Sequence, residues 1–163
     1  MNVASPEPAQ SYLQLRERIL NLDPADLGFK PAGDKPGVWG VLMETGYEVG
    51  TASLVALADG TTSLYYSTGG GMLGSGGYSP VAQASKALVA EAEHHTDQLL
   101  ASEDFPLPAA GQVRFYFMTY NGFLQAETTE KDLASGNHVL SPLYQLAQET
   151  LTQLRLLAEK KRK

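Results

Sequence analysis

Two dipeptides, Asp59-Gly60 and Asn121-Gly122, restrict this chain more than any other feature. Each lies between two runs rich in β-branched, aromatic and aliphatic residues: 51–58 and 61–68 around the first, 113–118 and 123–129 around the second. Aspartate or asparagine followed by glycine accepts the positive φ angles of a tight hairpin turn, so the runs flanking each dipeptide are expected to be antiparallel neighbours. A further run, 38–43, is apolar on both alternating faces, the pattern of a strand covered from both sides. Residues 46–50, with a glycine at each end, turn that run back into 51–58. A meander of three strands therefore precedes a hairpin of two.

Helical spacing marks three more segments. Tyr12, Leu15, Ile19 and Leu22 predict a helix over about 9–22, its apolar stripe widened by Leu13 and Leu20. Val81, Ala84, Leu88, Ala92, His95 and Leu99 predict another over about 80–101. Leu143, Ala147, Leu151, Leu154 and Ala158 predict the last, from 141 to about 162. Ser79-Pro80 and Ser141-Pro142 open the second and third, serine able to cap and proline suited to the first helical position. Residues 26–37 read as a surface connection that tucks Leu27 and Phe29 against the core, and 131–137 as an irregular connection with room for one helical turn. Residues 105–108 are expected to be extended, because each proline biases its predecessor away from the helical region.

The order helix, three strands, helix, two strands, helix predicts an α+β fold with a single five-stranded, mainly antiparallel sheet. Because the doubly apolar first strand belongs inside, the expected spatial order is 3-2-1-5-4 with helices packed on the sheet. At 163 residues the chain is expected to form one domain, 1–163, with flexible ends at about 1–8 and 160–163.

Composition narrows the chemistry. Without cysteine there is no disulfide, no thiolate nucleophile and no cysteine-held metal. The net charge is -6, and setting aside the last four of the 12 basic residues leaves eight against 18 acidic, a body that repels nucleic acid phosphates. Lys160, Lys161, Arg162 and Lys163 complement the negative end of the last helix. No long apolar run suggests a membrane span and residues 1–8 do not resemble a secretory signal, so the expectation is a cytoplasmic protein with no nucleic acid or membrane partner.

The candidate site is the stretch 67–80, in which six of 14 residues are glycine. Its ligand- or partner-binding candidates are Thr68, Gly69, Gly70, Gly71, Gly74, Ser75, Gly76, Gly77, Tyr78 and Ser79. Gly69, Gly71 and Gly74 satisfy a GxGxxG spacing, but a helix starting only at Pro80 and the antiparallel hairpins disagree with the βαβ unit that dinucleotide fingerprint requires. No lysine followed by serine or threonine closes a P-loop. What remains is either a generic anion site at a helix N-terminus or a long connection without a ligand. Its excess length over a plain strand-to-helix link favours a functional surface.

Other constellations carry less. Ser75 and Ser79 do not sit in GxSxG, so no nucleophile is expected. Glu91 with His94 forms Glu-x-x-His on a helix without a matching second set, so no metal or cofactor is expected; His95 reads as a hydrogen-bonded core edge and His94 as solvent-facing. Arg114, Tyr116 and Tyr120 share a strand face that could stack bases, although packing under a helix explains them as well. Leucines at 140, 143, 146, 151, 154, 156 and 157 cover more than one stripe of the last helix.

The element order resembles that of the profilin-like group, which includes roadblock and longin domains. Residues 38–44, 55–60 and 64–74, with Ser67-Thr68-Gly69-Gly70-Gly71 as the most specific run, are similar to a family of small uncharacterised bacterial proteins, a resemblance that brings no activity with it. Together these readings lead to the expectation of a small non-catalytic interaction or regulatory module that self-associates. The alternative is a protein or enzyme that binds a small phosphate- or carboxylate-bearing ligand at the glycine loop.

Overall fold

A computed structural model describes residues 7–31, 33, 37–72 and 79–161. The ends expected to be flexible lie partly outside them, as do Gly74, Ser75, Gly76, Gly77 and Tyr78 of the candidate site. The chain is α+β, with strands β1 (Val38–Tyr47), β2 (Gly50–Leu57), β3 (Thr62–Tyr66), β4 (Gly71–Met72), β5 (Leu100–Ser102), β6 (Gln112–Thr119) and β7 (Gly122–Thr129). The helices are α1 (Gln10–Leu20), α2 (Ser79–Ala92), α3 (Glu130–Ala134) and α4 (Ser141–Lys161).

All strands join one sheet in the order β4-β3-β2-β1-β6-β7-β5, every neighbouring pair antiparallel. This corrects the sequence expectation twice. The sheet has seven strands rather than five, and the second hairpin meets β1 through residues 112–119 rather than through its last strand. Burial explains the order: Val113, Phe115, Tyr116, Phe117 and Met118 are wholly buried, whereas β7 carries Gln125 and Glu127 and stays part-exposed. The more apolar strand takes the inner position.

The two extra strands come from segments read otherwise. The helix expected to reach 101 ends at Ala92, tightens into 3-10 turns over Glu93–Gln98, and releases Leu100–Ser102 to pair with Phe123–Gln125 of β7. Unpaired backbone on that side of β7 is thus partly satisfied. Gly71–Met72, taken as part of a loop, pairs with Leu64 and Tyr65.

The two tight turns differ in length. In the turn after β2 the Gly60 amide donates to Leu57 O at 2.9 Å and the Leu57 amide to Thr61 O at 2.9 Å; Gly60 alone takes positive φ, at 94°. In the turn after β6, Gly122 takes φ 111° while Tyr120 and Asn121 keep negative φ. Both dipeptides therefore lie at hairpins: residues 58–60 link Leu57 to Thr61 with Gly60 last, whereas Tyr120 and Asn121 alone link the paired Thr119 and Gly122, and in neither turn does the residue before glycine take a left-handed conformation.

A bulge near the start of β1 sets which of its residues face each core. Val38 pairs with Thr119 and Gly40 with Met118, leaving Trp39 as an extra residue. The alternation shifts there, so Val38, Val41 and Met43 face one side while Trp39 and Leu42 face the other. The first side is covered by α2 and α4 through Val81, Leu88, Leu143, Ala147 and Leu154. The second is covered by α1 and by the segments around Phe29 and Phe105.

One charged group sits under α1. Glu44, on β1, has no exposed surface and accepts from Arg16 Nε at 2.9 Å, Arg16 Nη2 at 2.7 Å, Ser53 Oγ at 2.6 Å and the Tyr12 hydroxyl at 3.3 Å. Arg16 Nη2 also donates to Phe105 O at 2.8 Å, so one guanidinium ties α1, the sheet and the extended segment together. Burial works against the charge on Arg16, but Glu44 more than offsets it and holds the guanidinium above its usual range. The row continues along the sheet, where Arg114 is paired in register with Glu44 and forms an ion pair with Glu127 at 2.5 Å.

Candidate functional site

The described part of the glycine stretch is a hairpin turn. The Gly69 amide donates to Tyr66 O at 2.9 Å and the Tyr66 amide to Gly70 O at 3.1 Å, the same pattern as the turn at Gly60. Gly69, Gly70 and Gly71 take φ of 107°, 85° and 149°, where side chains are strained. A Cβ on Gly71 would also run into Leu64 O. These glycines thus have a backbone reason that needs no ligand. Ser67 is buried, with its hydroxyl accepting from the Thr51 amide at 2.7 Å and its amide donating to Thr51 O at 2.8 Å. Ser79 opens α2, and its hydroxyl accepts from Gln83 Nε2 at 3.3 Å.

What gathers beside this turn is apolar surface. The β1–β2 hairpin ends at Tyr47 and Val49, which are 47% and 69% exposed, and β3 ends at Tyr66, 39% exposed. Ala52 on β2 pairs with Tyr66, so these groups meet at one corner of the sheet. A groove of about 400 Å³ runs there between the strand ends and α4, with Leu64, Met72 and Leu151 lining it alongside Tyr47 and Tyr66. A second hollow of about 180 Å³, bounded by Tyr47, Val49, Tyr66 and Thr68, continues it over the rim. Gln148, Leu151, Thr152 and Arg155 turn toward the groove from α4 at the spacing that puts residues on one helical stripe.

The electrostatics of the corner are uneven. Arg155 is exposed and is the one charged residue lining the groove, with no hydrogen bond or ion pair to any described residue. Burial raises the Tyr47 phenol, with further contributions from Glu130 and Tyr66. Glu130 itself accepts a hydrogen bond from Tyr144 at 2.9 Å. Chemically the corner offers ring faces, aliphatic floor and one guanidinium, which suits recognition of an apolar group beside an anion.

Of the ten candidates read from sequence, Thr68 lines the rim hollow, Gly69, Gly70 and Gly71 shape the turn below it, Ser79 starts α2, and the other five lie outside the described residues. Sequence reasoning missed Tyr47, Tyr66 and Arg155. The 148, 151, 152 and 155 spacing on a leucine-rich helix was the available signal, but it does not reveal which strand ends lie opposite.

The other constellations resolve into packing. His95 is buried between Glu91 Oε2 at 2.8 Å and Gln98 Oε1 at 2.6 Å, while His94 is exposed. Tyr116 is buried against the Phe105 ring at 5.4 Å between centroids, with its hydroxyl donating to Pro106 O at 2.8 Å, so it is not an open stacking surface. Leu140, Leu143 and Leu154 are buried, whereas Leu156 is exposed. Among the described residues no cluster of histidine and carboxylate side chains is placed to hold a metal ion, and no helix is long and apolar enough to cross a membrane. Comparison with protein-family models, with curated proteins and with solved structures gives no match.

Proposed function

We propose that this chain is a small, non-catalytic, cytoplasmic interaction module that self-associates at one edge of its sheet and presents the aromatic corner away from that edge. Exposed apolar residues in two places carry this reading: Tyr47 and Val49 at the β1–β2 turn with Tyr66 at the end of β3, and Leu100, 72% exposed, on the edge strand β5. Along the outer side of β7, residues 126–129 also lack a strand partner among the described residues. An open edge with an exposed leucine favours pairing with the same edge of a second copy, because unpaired backbone groups and apolar surface are costly in water. The likeness to profilin-like domains stays part of the proposal at the level of element order.

Light scattering tests the self-association. The wild type is expected to be dimeric at high micromolar concentration, and Leu100→Lys with Ala101→Lys to be monomeric, since edge charges oppose strand pairing. A monomeric wild type at that concentration would contradict the reading.

A further inference from the structure

We propose that the corner groove is a docking site for an acidic peptide segment, one that sets an apolar side chain between Tyr47 and Tyr66 and a carboxylate on Arg155. This rests on the interaction-module reading and names the partner chemistry it leaves open.

Shape comes first. The groove of about 400 Å³ and the rim hollow of about 180 Å³ share Tyr47, Ala52 and Tyr66, so they lie side by side as an open trough along the corner. An open trough suits a chain that lies along it, whereas small-molecule sites enclose most of their ligand. Leu64 and Leu151 supply an apolar floor, and the two phenol rings supply walls that gain area with little loss of rotamer freedom. Gln148 and Thr152 add amide and hydroxyl groups able to pair with a peptide backbone.

Charge then selects the partner. The chain carries -6, yet the one charged residue lining the groove is a cation without a partner among the described residues. A guanidinium matches a carboxylate with two parallel hydrogen bonds, and beside apolar walls that pair is less screened than in open water. The acid whose charge reaches Tyr47, Glu130, is engaged by the Tyr144 hydroxyl. Glu48, at the tip of the adjacent hairpin, is exposed to solvent. A basic segment would meet Arg155 without compensation from the groove lining.

The test uses two synthetic peptides: acetyl-Gly-Asp-Phe-Leu-Asp-Gly-amide, and the same peptide with lysine in place of both aspartates. With the full chain, NMR is expected to show the acidic peptide shifting the resonances of Tyr66, Leu151 and Arg155, and the basic peptide leaving them in place. Arg155→Glu is expected to weaken the acidic peptide by about tenfold or more and to admit the basic one. Gln148→Glu, a change on the same helical stripe, is expected to weaken the acidic peptide as well. Equal response to both peptides, shifts centred elsewhere, or no response to either overturns the inference. If no peptide binds but light scattering still finds a dimer abolished by the Leu100 and Ala101 substitutions, the docking inference fails alone. If the wild type is also monomeric, the interaction-module reading fails with it.

Discussion

Beneath α1, a carboxylate without exposed surface is held by four donor atoms; at the corner formed by β2, β3, β4 and α4, two tyrosine rings and a valine stand in water. The two regions reverse the usual placement of charge and apolar surface, and they do so with different consequences. Glu44 is fully satisfied, so its burial is a structural anchor: Arg16 and Tyr12, one helical turn apart, fix how α1 lies on that face of the sheet. The corner has no such closure among the described residues: Tyr47, Val49 and Tyr66 stay exposed, and the proposed docking rests on that surface.

The largest effect expected from this contrast lies at the anchor. Arg16→Ala leaves Glu44 buried with only hydroxyl donors and is expected to lower stability by about 3 kcal/mol, the range for removing one partner of a buried pair. Glu44→Ala is expected to cost less, about 2 kcal/mol, because Arg16 retains 12% side-chain exposure and its bond to Phe105 O and can turn toward water. Urea denaturation of both variants checks the order, and a larger loss for Glu44→Ala would break the anchor account. At the corner, Val49→Asp is expected to change stability by less than about 0.5 kcal/mol.

A smaller effect separates the buried phenols from ordinary ones. Burial raises Tyr12, Tyr116 and Tyr144 above their ordinary value of 10.0, with Glu44 adding to the first two and a hydrogen bond to Glu130 adding to the third. Below that value both folded and unfolded chains keep these protons. Above it the unfolded chain loses them first, so stability falls as pH rises beyond about 10. Urea midpoints compared at about pH 9 and about pH 11 are expected to show the fall, and Tyr12→Phe with Tyr144→Phe to flatten it. An unchanged slope in the double variant would remove these phenols from the account.

Local chemistry in the sequence carried the hairpins and most helix limits. Asp59-Gly60 and Asn121-Gly122 do mark turns, because a tight turn is a property of a few adjacent residues. Strand order depends on which surface is more apolar across distant segments. The face of Arg114 and Tyr116, read as one that could stack bases, is inside: the first closes an ion pair with Glu127 and the second lies against Phe105. The glycine run ends beside the aromatic corner for a reason of its own: Gly69 to Gly71 are needed by a turn, and the aromatic surface next to it comes from Tyr47 and Tyr66, brought together by strand pairing. Nothing local in the sequence places Arg155 opposite them.

The central claim divides the molecule into a self-associating edge and a free corner, and a distance between identical labels tests it directly. The chain has no native cysteine, so Ser102→Cys and Val49→Cys each give a single nitroxide position for double electron-electron resonance. Pairing through β5 predicts two Ser102 labels close together and two Val49 labels farther apart, because β1 and β2 lie three and four strands in from β5. Val49 labels closer to one another than Ser102 labels, or no dipolar coupling in either at high micromolar concentration, would contradict it.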